Sequence, residues 1–276
     1  MEKKEESQDV KVQDVESAYD KTLFEKYDYI MTFDVETTGL DSINDRIIEF
    51  GGIIMQKTGF SRFNHIALEK DILVKQDKPI PEEIVSLTGI TNAELAENGQ
   101  DESDVADFAD VAFATGNRTL VIGYNVGFDL CFLNQLMRRE RGNEWKFNGD
   151  VIDVMAIYRD HYHYSGKKMP NGKKYGHSLS AAVERLGIPV KNTHRSVDDA
   201  RATWEVFKRL YIIYKDFRPY LNRFGYNPKF GPAYAPLNPK DITYEKFDKV
   251  EYVPQDAGGA GKEMLTSYNQ RKSASL

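Results

Sequence analysis

The chain has 276 residues, 37 Lys and Arg against 43 Asp and Glu, a net charge of −6, 41% hydrophobic residues and a single cysteine. That length allows one large or two small domains with a sizeable core. The acidic balance excludes a protein that coats DNA by bulk charge, the apolar content excludes a wholly disordered chain, and the lone Cys131 excludes an intramolecular disulfide or a multi-cysteine metal site.

Residues 1–28 carry nine acids against five lysines and read as a loose arm or a solvated helix. They contain no apolar signal region, and the longest apolar runs, such as Leu210 to Tyr214, are too short for a membrane span. A reducing cytoplasm and no membrane partner are therefore expected. Tyr29 to Phe33, Arg46 to Met55 and Phe60 to Leu68 are rich in β-branched and aromatic residues. Their short connections predict an antiparallel meander. Ile84 to Phe113 reads as helical with breaks, and Thr91 with Glu94 forms a capping box. Val105, Phe108, Ala109, Ala112 and Phe113 share one apolar face. A fourth strand is predicted at Arg118 to Tyr124, then a helix at Gly127 to Arg141 and a short strand at Val151 to Val154. Helices at Leu179 to Leu186 and Val197 to Tyr214 follow.

This pattern predicts one α/β domain over residues 29–216. Residues 217–276 hold six of the ten prolines and ten Phe or Tyr with little periodicity, which suits an extended tail or a partner-docking arm. Charge is uneven. Residues 79–117 hold nine acids and no Lys or Arg, whereas residues 138–195 hold twelve Lys or Arg against six acids. Such asymmetry fits a nucleic-acid face opposed to an acidic one, or simply two solvated surfaces.

Three segments carry chemistry. In Phe33-Asp34-Val35-Glu36-Thr37-Thr38-Gly39-Leu40, strand alternation puts Asp34 and Glu36 on one side. Two adjacent carboxylates repel unless a cation neutralises them, and a hard divalent metal such as Mg²⁺ does so economically. An edge strand with both acids in water is the alternative. In Gly123-Tyr124-Asn125-Val126-Gly127-Phe128-Asp129, a helix begins at a strand end, where ligands gather in α/β sheets. Asp129 can approach the first pair there, or Asn125 and Asp129 can serve only as helix caps. In His194-Arg195-Ser196-Val197-Asp198-Asp199, Ser196 and Asp199 have capping-box spacing, with Asp199 in the first turn and His194 on the preceding loop. That pairs a fixed metal ligand with an adjustable proton carrier. Two acids complementing the helix dipole beside a surface histidine is the other reading. Cys131 reads as a small core residue, and His161, His163 and His177 as surface or packing residues.

Together these segments resemble the DEDDh, or DnaQ-like, 3′–5′ exonucleases, which include the proofreading epsilon subunits and domains of bacterial replicative polymerases. The family's D-x-E, N-x-x-x-D and H-x-x-x-x-D motifs correspond to Asp34 to Glu36, Asn125 to Asp129 and His194 to Asp199. Arg46-Ile47-Ile48-Glu49 and Ile84 to Thr91 are similar to further family segments. The resemblance covers residues 29–214 and implies a ribonuclease H-like α/β fold with a five-stranded mixed sheet flanked by helices. It implies that Asp34, Glu36, Asp129 and Asp199 hold two Mg²⁺ or Mn²⁺ ions and that His194 is the general base. Thr37, Thr38, Gly39, Leu40, Asn125 and Phe128 would contact the substrate.

The implied activity is removal of nucleoside 5′-monophosphates from the 3′ end of single-stranded DNA, in proofreading or DNA processing. RNA trimming, or a non-catalytic nucleic-acid-binding module on the same fold, are the alternatives. Tyr124 stands where relatives often carry histidine. The loop from Tyr162 to Gly176, with Lys167, Lys168, Lys173 and Lys174, is longer than usual and suits backbone tracking and base stacking, or plain solvation. A DNA polymerase or another nuclease-complex partner is expected at the C-terminal tail.

Overall fold

The computed structural model of the chain describes residues 24–58, 62–113, 118–145, 147, 149–162, 172, 176–190, 195–214, 217–224 and 235–236. Strands β1 (Tyr29–Thr37), β2 (Ile47–Thr58) and β3 (Arg62–Leu73) form the predicted antiparallel meander. β4 (Thr119–Gly123) pairs in parallel with β1, and β5 (Asp150–Asp153) in parallel with β4. The result is a five-stranded mixed sheet in the order β3-β2-β1-β4-β5.

The parallel pairs require crossovers, and helices supply them. Helices α1 (Glu82–Thr88), α2 (Asn92–Asn98) and α3 (Glu102–Phe113) lead from β3 to β4, and α4 (Val126–Arg141) leads from β4 to β5. Then come α5 (Val154–His161), α6 (Leu179–Arg185) and α7 (Ser196–Tyr214). The long helical stretch predicted from Ile84 resolves into three helices for local reasons. Gly89 adopts a left-handed φ of 76° and returns its N–H to Val85, closing α1. Thr91 Oγ1 accepts the Glu94 N–H at 3.1 Å and opens α2.

Strand alternation divides the core in two. Met31, Phe33 and Val35 of β1 face α3 and α4, where Phe50 stacks on Phe33 at 5.7 Å and meets Phe108 at 5.2 Å. Ile30 faces the other layer, built from α5, α6 and α7 with Phe207, Leu210 and Tyr211. Cys131 is buried in the first of these cores, as its neighbours in the sequence suggest.

Packing runs across the bounds expected at 29 and 216. Phe24 and Tyr27 are buried in the α7 layer, as are Phe217 and Tyr220. Leu221 bridges to Ile152 on β5, and Asn222, at a φ of 57°, exchanges two hydrogen bonds with the Val151 backbone. Lys26, Tyr27 and Asn222 all donate to Asp150. The rest of the N-terminal arm and residues 237–276 lie outside the described residues.

The charge asymmetry has a partly internal explanation. Arg139 forms a two-bond pair with Glu102, and Arg141 reaches both Asp107 and Asp110. Glu94 and Asp101 lie near Arg195 and Lys75. Three of the nine acids, Glu102, Asp107 and Asp110, thus pair with α4 arginines, while Asp107 and Asp110 stay open to solvent. Among the described residues, no helix is long and apolar enough to cross a membrane.

Candidate active site

The site grows from the C-terminal half of β1. Phe33 and Val35 point into the α3/α4 core, so Asp34 and Glu36 point to the opposite face, where α7 lies. Asp199, in the first turn of α7, meets them there. One ligand atom from each of Asp34, Glu36 and Asp199 lies within 4.8 Å of the others. Asp129 arrives from α4. Pairing between β1 and β4 ends at Thr32 and Ile122, and further along β1 the Val35 N–H donates to Asp129 Oδ1 at 3.1 Å. That bond places Asp129 at the backbone between Asp34 and Glu36, although it stands outside the tight three-carboxylate group. Its side chain serves β1 rather than only capping its own helix.

These acids are electrostatically unhappy together. Burial, and then the carboxylates of Asp129, Asp199, Glu36 and Glu49, push Asp34 well above the usual range. Burial, with Asp199 and Glu49, pushes Glu36 up to about 7. Burial likewise raises Asp129, against its hydrogen bond from Val35. A half-buried set of oxygen donors that repel one another fits a hard divalent cation, which would remove the repulsion outright.

The pH consequence has a definite sign. A raised folded-state value means that the folded protein holds a proton which the unfolded chain releases. In EDTA, stability is therefore expected to fall as pH rises from the ordinary Glu36 value of 4.5 through about 7. Saturating Mg²⁺ should flatten that fall. Melting temperatures across this range, with and without metal, provide the measurement. A metal-free melting temperature that rises over the same interval would contradict the proposed repulsion.

Non-local features set the place of Asp199. Ser196 was expected to cap its own helix. Instead α7 already begins at Ser196, and the Ser196 N–H donates to Glu49 Oε2 on β2 at 2.8 Å. Arg195 Nε donates to Glu49 Oε1 at 2.5 Å. Glu49 is fully buried and pairs in register with Glu36. A carboxylate from the sheet thus caps the helix, and Arg195 balances its charge. The approach is close because Gly51 has no side chain. A Cβ there would lie 2.0 Å from Val197 N. The motif Arg46 to Glu49 held the one sequence signal for this arrangement, and neither Arg195 nor Gly51 was marked by it.

The loop from β1 to β2 is tied to itself. Thr37 Oγ1 donates to Gly39 O at 2.6 Å, and Thr38 Oγ1 to Asp45 Oδ1 at 3.1 Å. The Asp41 N–H also donates to Asp45, whose carboxylate occupies the space a Gly39 Cβ would need. Leu40, in the same loop, is presented at 88% exposure. Phe128 packs on Phe132 at 4.9 Å. Asn125 takes a left-handed φ of 61° before α4 and makes no side-chain cap, so the capping alternative does not hold for it.

His194 lies outside the described residues, as do His163 and the lysines of the loop from Tyr162 to Gly176. His161 stacks on Tyr214 at 3.5 Å, and His177 lies 3.0 Å from Tyr162 O, so both serve packing.

A family model described as an exonuclease matches residues 31–207. The chain belongs to the DnaQ-like exonuclease family. As a member it is an exonuclease, and its five-stranded mixed sheet is the ribonuclease H-like arrangement expected from the motifs. The exonuclease is 30% identical over 198 residues to the PolC-type DNA polymerase III of Thermotoga petrophila, covering 72% of this chain and 13% of that protein. It is 31% identical over 186 residues to the DNA polymerase III epsilon subunit of Aquifex aeolicus, covering 65% of this chain and 79% of the relative. Its fold is similar to that of E. coli exonuclease I, solved with a dT13 oligonucleotide. The TM-score is 0.52 at 23% identity, over 66% of this chain and 40% of that one.

Proposed function

We propose that this exonuclease removes nucleoside 5′-monophosphates from the 3′ end of single-stranded DNA with the help of two Mg²⁺ or Mn²⁺ ions, in proofreading or DNA processing. The observation that carries the reading is the convergence of Asp34, Glu36 and Asp199 from β1 and α7, in a chain of the exonuclease family. Asp34, Glu36, Asp129 and Asp199 would hold the metal. When bound, such ions supply Lewis-acid polarisation of the scissile phosphate and stabilise the leaving oxygen.

The chain's own groups do the rest. His194 takes the proton from the water that attacks the terminal phosphorus in line. The self-tied loop of Thr37, Thr38 and Gly39 offers backbone groups to the terminal nucleotide, and exposed Leu40 offers an apolar surface to its base. Asn125 and Phe128 line the approach of the strand. DNA is favoured because the relatives are named as DNA polymerase III components and the exonuclease I neighbour was solved with an oligodeoxynucleotide. The same naming supports a polymerase or nuclease complex as partner of the C-terminal tail, and a cytoplasmic setting.

Matched 3′-labelled DNA and RNA single strands, digested side by side with Mg²⁺ and with EDTA, test the reading. DNA is expected to be shortened from its 3′ end at a kcat/KM about 10-fold or more above that for RNA, where the 2′-OH must be accommodated. EDTA should stop the reaction. Faster digestion of RNA would replace the DNA reading with RNA trimming, and binding without digestion would leave only the non-catalytic module.

A further inference from the structure

At the β4–α4 turn the chain passes from strand to helix in two residues, Tyr124 and Asn125. Such a short turn is strained. Asn125 sits at φ 61° and ψ 35°, and a Cβ on Gly123 would come within 2.5 Å of Val126 Cγ2. Asparagine enters the left-handed region more readily than other side-chain-bearing residues, and its surroundings still have to hold it there. Both turn residues are held. The Tyr124 hydroxyl donates to His177 O at 2.8 Å. The Asn125 N–H donates to Asp153 Oδ1 at 2.9 Å.

Asp153 is fully buried at the end of β5, in register with Gly123 across the parallel pair. The same Oδ1 accepts the Met155 N–H at 3.0 Å, so Asp153 also caps α5. A cap alone asks only for a short polar side chain such as serine. Reaching the neighbouring turn as well asks for the longer carboxylate. From Asn125 the geometry leads directly to the site. Asn125 O accepts the Phe128 N–H at 3.0 Å in the first turn of α4, and the next residue, Asp129, accepts the Val35 N–H.

We propose that Asp153 is a positioning residue of this exonuclease: by tethering the Asn125 N–H it sets the start of α4 and so aims Asp129 at the metal site. The proposal rests on the metal-ligand role given to Asp129 above, and on no direct contact between Asp153 and metal or substrate. It extends the functional residues to β5, which carries none of the three motifs.

Three variants of the full chain separate the two jobs of Asp153. Asp153→Asn keeps an acceptor at Oδ1. Asp153→Ser keeps the α5 cap but places its oxygen nearer its own backbone, short of Asn125. Asp153→Ala removes both. Mn²⁺ binding is measured by calorimetry, turnover on a 3′-labelled DNA strand, and melting temperature in EDTA.

Asp153→Asn is expected to bind Mn²⁺ within about 3-fold of the wild type. Asp153→Ser should lower the melting temperature less than Asp153→Ala, because the α5 cap is kept, yet weaken Mn²⁺ binding and turnover by about 10–100-fold, the usual cost of losing a group that orients a ligand. Asp153→Ala should lose both stability and binding. Wild-type Mn²⁺ affinity and turnover in Asp153→Ser, or an Asp153→Asn variant as weak as Asp153→Ala, would overturn the proposal. Because Mn²⁺ affinity is read without substrate, a wild type that binds metal but digests no strand would sink the exonuclease reading and leave this one standing.

Discussion

Replacing Asp34 with asparagine is expected to abolish 3′-end digestion while leaving the metal-free protein as stable as the wild type or more so. The two effects share one cause. Asp34 lies within ligand reach of Glu36 and Asp199, and burial together with its carboxylate neighbours disfavours its charge. Without metal, Asp34→Asn relieves that repulsion at constant shape. With metal, it removes a donor from the hard-cation set. Metal-ion stabilisation of charge in the transition state is worth several kcal/mol. A loss of about 4–5 kcal/mol corresponds to roughly 10³-fold or more in kcat. The measurement is single-turnover digestion of a 3′-labelled strand, alongside thermal melts in EDTA. Activity within about 10-fold of the wild type would remove Asp34 from the reaction, because that corresponds to only about 1.4 kcal/mol.

The second large effect is expected at a residue with no chemistry of its own. Gly51 pairs directly with Asp34 across β1 and β2, so a side chain at 51 would project to the same face, toward α7. An alanine Cβ there would lie 2.0 Å from Val197 N and 2.1 Å from Ser196 C. Those are backbone atoms of the turn that carries Asp199, and no rotamer change moves them aside. Restoring ordinary contact requires α7 to retreat by more than about 1 Å, and a displacement of that size at a catalytic group costs about 10²-fold in rate. Overpacking of this kind also costs about 1–3 kcal/mol of stability.

Gly52→Ala is the matched control. Its Cβ would meet the Phe108 ring at 2.6 Å, on the opposite face of the sheet. Gly52→Ala should therefore lose stability while keeping kcat/KM and Mg²⁺ dependence. Gly51→Ala should lose stability and kcat/KM together and need more Mg²⁺ for half-maximal rate. Equal retention of activity in both variants would show that the approach of α7 to β2 does not set the site.

The convergence of Asp34, Glu36 and Asp199 is legible in the sequence for identifiable reasons. Asp34 and Glu36 are two residues apart on a strand, so alternation alone puts them on one face. Asp129 follows a strand end and Asp199 opens a helix, and both positions are visible from local pattern. The α1 to α3 stretch resolved at Gly89 and Thr91, where backbone and capping chemistry act within a few residues. The cap of α7 departs from the local pattern for the complementary reason. Ser196 has the right spacing for a capping box, but its N–H is taken by Glu49, which is 147 residues away in sequence.

What the sequence determined by itself is therefore the set of candidate acids, Asp34, Glu36, Asp129 and Asp199, and the order of elements that carry them, because both follow from periods of two and 3.6 residues and from turn chemistry. The tertiary structure decided how those groups are held. The Val35 bond to Asp129 spans 94 residues, the Asn125 bond to Asp153 spans 28, and the Arg195 pair with Glu49 spans 146. Each depends on which strands are neighbours and in what register, and strand order is a property of the whole packed sheet. The acids of residues 79–117 make the same point. Read along the chain they formed an acidic face, yet packing of α3 on α4 turned Glu102, Asp107 and Asp110 toward Arg139 and Arg141.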